Sequence, residues 1–243
     1  MLNKDALEYL VNLGITSDPI VKVDGKSYST KQLSPIKEIG PDALELNFLD
    51  SLITYLKSNI DLSVGNDHKL IIEIKSPVEV ALHTELVGDF NQRMTPIICT
   101  ALVSPFPWGK FISPEEFIIM AQSRFVETED LAKIRTIAGN VRGEEVIAFS
   151  DDGISQQVTA KSGIARVADI VIPPRVKLAP YRTFIEIEQP ESEFVFRAKK
   201  SDSLPYFALF EADGGAWRIE AMKRIKAYLE DNLKDIENVV VLG

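Results

Sequence analysis

The sequence predicts an α+β fold, mainly antiparallel sheet with a central αα-hairpin and a C-terminal amphipathic helix, in a single domain over residues 1–243. Three observations carry this expectation. From 69 to 103 apolar and polar residues alternate with no helical stretch between the runs, which suits neighbouring strands rather than βαβ units. Residues 111–139 combine helical spacing with a complete N-terminal capping signal. A last helical stripe covers 216–233, after a second block of strand-like runs. Within the single domain, residues 1–62 are the stretch that reads as a small N-terminal subdomain.

Taken in order, residues 4–13 place Ala6, Leu7, Leu10, Val11 and Leu13 on one side of a short helix ended by Gly14. IVKV and KSYS flank Asp24-Gly25, a pair that accepts the positive φ angles of a type I′ hairpin turn. Leu46, Leu49, Leu52, Ile53 and Leu56 fall at helical spacing over 44–59, and GNDH at 65–68 reads as a loop. KLIIEIKS, VEVALHTELV and RMTPIICTALV form three strands of an expected antiparallel meander, joined near Ser76-Pro77 and Gly88-Asp89. The loop SPFPWGKF, 104–111, leads to Ser113 at N-cap, Pro114 at N1 and Glu116 at N3, with Ile112 and Phe117 placed as a hydrophobic staple. That helix runs to about Phe125; a second starts near Thr128 and ends at Gly139.

EEVIAFS and ISQQVTAKS form a second hairpin across Asp152-Gly153. Further strands are expected at 167–172, 182–188, 193–199 and 205–211, divided by Pro173-Pro174, Pro190 and Pro205. The final helix buries Met222, Ile225, Leu229 and Leu233, and VVVL at 239–242 reads as a last strand.

Composition bounds what such a chain does. Apolar residues make up 45% and charged residues 26%, typical of a globular protein and incompatible with disorder of the whole chain. The 27 Lys and Arg against 36 Asp and Glu give a net charge of −9, which disfavours non-specific binding to duplex through bulk charge. One cysteine, Cys99, excludes an intrachain disulfide and any multi-cysteine metal site. Asp5 and Glu8 interrupt the apolar start, so it does not read as a secretory signal. No apolar run reaches the length of about 18 residues that a membrane span needs, so no membrane partner is expected. A reduced, cytoplasmic setting follows as the expectation.

The catalytic vocabulary is thin. There are two histidines, His68 and His83, and neither a nucleophile elbow nor a phosphate-binding or dinucleotide fingerprint. His83 reads as a strand histidine, exposed or hydrogen-bonded, and Cys99 as an inert buried thiol. No catalytic residue, metal ligand or cofactor is therefore assigned. Glu186-x-Glu188, Glu127-x-Glu129-Asp130 and Asp151-Asp152 are explained by strand faces, helix starts and turns before any cation is invoked. Glu73-x-Lys75 has the spacing of a metal-dependent nuclease strand, with Asp50, Asp61 and Asp67 upstream, although any solvent-facing strand produces the same pattern. Gly214-Gly215 before a helix could offer N–H groups to phosphate, but Asp213 is placed to cap that helix and would repel an anion.

Positive residues gather late in the chain. Arg218, Lys223, Arg224 and Lys226, with Trp217, form the candidate basic and aromatic face, and Lys161, Arg166, Lys199, Lys200, Tyr206 and Phe207 extend it. Interleaved bases and aromatics are what single-stranded nucleic acid requires. The β content suggests a homo-oligomer that covers its sheet edges by pairing.

The strings APYRTFIEIEQPESEFVFR (179–197) and LFEADGGAWRIEAMKRIKAYLEDNL (209–233) resemble the YfdQ-like family of phage and prophage proteins. FISPEEFIIMAQSRF (111–125), DDGISQQVTAKSGI (151–164) and NKDALEYLVNLG (3–14) are similar to the same group, so the resemblance spans nearly the whole chain. It carries no catalytic or binding residues. It implies a phage protein encoded among early genes for DNA replication and recombination, working in the host cytoplasm. The resulting expectation is a non-catalytic protein that binds a phage or host protein in phage DNA metabolism or host-defence interference. The alternatives are a single-strand-binding recombination accessory, a peptidoglycan-binding protein (a label some relatives bear) and a metal-dependent nuclease.

Overall fold

A computed structural model describes residues 3–17, 20–29, 41–58, 69–88, 91–141, 146–151, 156–162, 166–201 and 204–243. The chain is α+β. Its first helix, α1 (Lys4–Ser17), starts where Asn3 caps the backbone N–H of Ala6 at 2.9 Å and continues through Gly14, three residues beyond the expected stop. Its apolar stripe is not buried: Leu7, Leu10 and Val11 are each more than half exposed. The hairpin of β1 (Ile20–Val23) and β2 (Lys26–Ser29) turns as expected, with φ of 50° at Asp24 and 79° at Gly25.

The region expected as one helix over 44–59 divides in two. Leu44–Leu46 is a strand, β3, and helix α2 (Leu49–Ser58) buries Leu49, Leu52, Ile53 and Leu56. Leu46 matches the helical spacing because it packs against the same core from the strand. The expected meander is present as β4 (Leu70–Ser76), β5 (Glu79–Thr84) and β6 (Ile97–Thr100), antiparallel throughout. Its sheet is mixed, however, because β3 adds parallel to β6 at one edge.

Helices α3 (Pro114–Ser123) and α4 (Glu129–Val141) pack on each other, but the link between them is a two-residue strand, β7 (Phe125–Val126). The Ser113 N-cap is formed: the Glu116 N–H donates to Ser113 Oγ at 3.3 Å, and both staple residues, Ile112 and Phe117, are in the core. Thr128 Oγ1 likewise accepts from Leu131 N–H, and α4 runs two residues past Gly139. Strands β8 (Val146–Asp151), β9 (Gln156–Ser162) and β10 (Arg166–Ile172) form an antiparallel sheet. The Asp152-Gly153 turn lies outside the described residues.

A strand absent from the expectation, β11 (Arg175–Pro180), pairs with β7 and with β12 (Ser192–Ser201), which pairs in turn with β13 (Leu204–Glu211). The segment 182–188, expected as a strand, is a run of turns instead. Gln189 organises it: its side-chain oxygen accepts from Arg182 N–H, and its amide donates to the carbonyls of Phe184 and Ile187. Those bonds saturate backbone groups that a strand would have left to a neighbour. Helix α5 (Ala216–Leu233) matches its expected span and buries Ile225, Leu229 and Leu233, while Met222 is half-buried. Last, β14 (Val239–Leu242) joins β4 in parallel, completing the order β14-β4-β5-β6-β3.

Among the described residues, two apolar cores result. In one, α3 and α4 cover the sheet of β11–β13, with the rings of Phe117, Phe196 and Phe207 5.5 to 5.6 Å apart. In the other, α2 and α5 lie on the five-stranded sheet, and Phe184 and Ile187 reach into it from the turn segment. That segment links the cores, which places Arg182 and the start of α5 close together.

Candidate binding surface at the start of helix α5

Helix α5 begins after a left-handed glycine pair, with φ of 62° at Gly214 and 84° at Gly215, values that an L side chain rarely adopts. Asp213 fills the role read for it, its carboxylate accepting from the backbone N–H groups of Gly215 at 3.0 Å and Trp217 at 3.1 Å. A carboxylate at that helix terminus occupies the place an anion would need.

Trp217 lies over a buried cation. Arg182 is 8% exposed, and its guanidinium stacks 3.9 Å from the Trp217 ring. Arg182 also donates to Glu211 Oε1 at 2.8 Å and to Ser192 Oγ. Burial lowers its pKa to about 10, partly offset by the carboxylates of Glu211 and Asp213, so the group remains charged at neutral pH. Residues 182, 192, 211 and 217 meet from four separate parts of the chain, and of these the sequence singled out Trp217 but not Arg182, Ser192 or Glu211.

Beside this stack runs a groove of about 570 Å³. Trp217 and Ile219 give it apolar surface, and Glu191, Glu193, Asp213 and Glu220 line it with Lys177 and Lys223. Ile219 is 62% exposed. Carboxylates outnumber ammonium groups there, which opposes the approach of a phosphate chain.

The five expected binding residues are parcelled among different partners. Trp217 stacks on Arg182, with the Arg218 guanidinium 5.3 Å from the same ring. Lys223 lines the groove. Arg224 pairs with Glu220 at 2.9 Å and Glu188 at 3.2 Å, and Lys226 donates to the carbonyl of Gly243 at 3.3 Å. Phe207 is a core residue and Lys199 sits 4.4 Å over the Phe111 ring, so neither extends a shared surface with α5. The side chains of Lys161, Arg166 and Lys200 lie outside the described residues.

The other sequence candidates take structural partners. His83 is hydrogen-bonded through both ring nitrogens, to Thr95 Oγ1 and Glu73 Oε2, each at 3.0 Å. Lys75 pairs with Glu79 at 3.1 Å, so Glu73 and Lys75 turn to different neighbours. A cavity of about 410 Å³ adjoins Glu73, His83, Arg93 and Leu242. Asp50 accepts from the Tyr228 hydroxyl, while His68, Asp61 and Asp67 are outside the described residues. Glu186 and Glu188 stand in the turn segment, not on a strand face; Glu186 accepts from Asp50 N–H. Glu127 holds Arg135 by two bonds, and Asp130 accepts from Lys177 N–H. Cys99 is fully buried, and burial followed by the nearby charge of Glu186 pushes its thiol up to about 12. Among the described residues no group of three or more His, Cys, Asp or Glu is placed to hold a metal ion, and no helix is long and apolar enough to cross a membrane. Comparison with protein-family models, curated proteins and solved structures returned no match.

Proposed function

We propose that this chain is a phage-encoded, non-catalytic protein that acts in the host cytoplasm by binding a protein partner, and that the groove at the start of α5 is part of its binding surface. One observation carries the choice of a protein over a nucleic acid: the groove joins exposed Ile219 and the edge of Trp217 to four carboxylates and only two lysines. Apolar anchors beside mixed charge suit a polypeptide with basic side chains, whereas a phosphate backbone meets net repulsion. The resemblance to YfdQ-like proteins supports the phage setting, and the early-gene location that this resemblance implies directs attention to partners in phage DNA metabolism or host defence.

One variant of an exposed groove residue tests the reading, Ile219→Asp. Affinity capture from phage-infected lysate by the wild-type protein should retain one partner, and Ile219→Asp should release it while far-UV circular dichroism stays unchanged. Retention of nucleic acid alone, with oligonucleotide binding at about 50 mM salt that weakens steeply as salt rises, would favour the recombination accessory instead.

A further inference from the structure

We propose that the cavity on the five-stranded sheet, beside β14, binds a small zwitterion, an apolar α-amino acid, held between Glu73 and Arg93. The site is separate from the α5 groove and does not rest on the function read there. Ile71, Glu73, Ile74, His83, Arg93 and Leu242 line this cavity of about 410 Å³. Both its size and its make-up, an apolar lining with a few polar groups, are those of a small-ligand site.

Strand register brings the lining together. His83 stands opposite Ile71 and Leu242 beside Glu73, so these four share the sheet face turned away from Ile72 and Leu82 of the α2–α5 core. The Glu73 carboxylate is presented on that face by a fixed neighbour. A carboxylate only accepts, so His83 Nε2 donates to Glu73 Oε2, and Thr95 Oγ1 holds the other ring nitrogen, each at 3.0 Å. The His83 side chain is 12% exposed and that of Glu73 51%, so a nearly enclosed imidazole orients a carboxylate that still faces the cavity. Its Oε1 has no partner among the described residues. Arg93 is fixed from the opposite direction: Nη1 donates to the Thr84 carbonyl at 2.7 Å, and the rest of its donor fork is left for a ligand.

Two opposite charges therefore line one cavity without pairing with each other. That arrangement selects the ligand. A phosphate or a simple carboxylate meets Arg93 but is repelled by Glu73, and an amine meets Glu73 but is repelled by Arg93. A molecule with an ammonium and a carboxylate satisfies both. The spacing agrees with a single amino acid. Thr84 lies three positions along β5 from Ala81, the partner of Glu73, which sets the two charges on the order of 10 Å apart. An α-amino acid with a charge-assisted hydrogen bond at each end spans about 9 Å. Ile71, Ile74 and the half-exposed Leu242 then offer their surface to an apolar side chain.

Calorimetric titration of the full chain at pH 7 tests this with leucine, methionine and phenylalanine, and with two analogues of leucine. Leucine should bind one to one, and N-acetyl-leucine and leucinamide, each lacking one charge, should bind about ten-fold more weakly. Glu73→Gln should weaken leucine about ten-fold without weakening N-acetyl-leucine, which has no ammonium to lose. Arg93→Gln should weaken leucine similarly without weakening leucinamide, which has no carboxylate. The analogues need only the wild-type protein, so the comparison stands even where a variant fails to fold. No binding of any of the three amino acids below about 10 mM would overturn the proposal. So would analogues that bind as tightly as leucine, or folded variants that leave leucine unaffected or weaken all ligands alike.

Discussion

Replacing Arg182 by alanine should cost about 3 kcal/mol of stability. The guanidinium is buried against the Trp217 ring at 3.9 Å and pairs with Glu211 at 2.8 Å. Breaking a fully buried ion pair costs roughly 3–5 kcal/mol, because the surviving charge is left uncompensated. Here the Glu211 side chain is 31% exposed, so water recovers part of its solvation and about 2 kcal/mol remains. Loss of the stacked cation adds about 1 kcal/mol. The Ser192 hydroxyl loses a charged donor but keeps its capacity to donate elsewhere, and it adds little. Urea unfolding followed by tryptophan fluorescence reads the change, since Trp217 reports the site directly. A cycle with Glu211→Ala separates the ion pair from the stacking: the two single losses should exceed the double loss by about 1–2 kcal/mol. An Arg182→Ala cost below about 1 kcal/mol, or additivity within about 0.5 kcal/mol, would refute the claim that this pair holds the turn segment to β13.

Alkaline pH should destabilise the fold through Cys99 and Tyr228. Burial, and for Tyr228 also the hydrogen bond to Asp50 and the charges of Asp50 and Glu186, raises both groups to about 12. A raised pKa in the folded state means that the stabilisation is complete below the unfolded values, about 9 and 10, and is lost as pH rises toward 12. Tyr228→Phe should therefore flatten the alkaline limb of a thermal-melt series. Native Cys99 should resist a thiol reagent at pH 8 and react at once in denaturant; fast labelling of the folded protein would contradict its burial. Leu229→Ala, fully buried between α5 and the sheet, should cost 2–5 kcal/mol in urea unfolding. Ser113→Ala should cost about 1 kcal/mol by removing one helix cap, and a neutral effect would mean that this cap does not bear on α3.

The parts of the fold legible in the sequence are those where local chemistry and burial agree. Period-two runs identified β4–β6 because each strand has one face on the α2–α5 core. Asp24-Gly25 and the Ser113 cap act within a few residues, so their partners could be read nearby. Legibility failed where a distant group satisfied the backbone. Phe184 and Ile187 gave the segment 182–188 a strand-like look, but the deciding bonds come from the Gln189 side chain, whose direction no pattern records. Strand β11 sat between prolines that read as breaks, and Pro180 is tolerated because it closes the strand opposite Phe125. The parallel pairings of β3 with β6 and of β14 with β4 bring segments distant in sequence into one sheet, which is a property of topology rather than of local sequence.

For the site, clustering in sequence was a poor guide to clustering in space. At 100° per residue, positions 217, 218, 223, 224 and 226 fall around the whole circumference of the helix, and Arg224 and Lys226 find partners at Glu188 and Gly243. Arg182, thirty-five positions before Trp217, stacks nearer the ring, at 3.9 Å, than the adjacent Arg218 at 5.3 Å. The net charge shows the same divide. A chain at −9 that gathers its positive residues near one helix invites a nucleic-acid reading. Glu188 and Glu220 answer Arg224, and Glu191, Glu193, Asp213 and Glu220 line the groove that holds Lys223, so the surface there is amphipathic rather than basic. A peptide with apolar and basic side chains matches such a surface at both of its chemistries, and a polyphosphate matches it at neither.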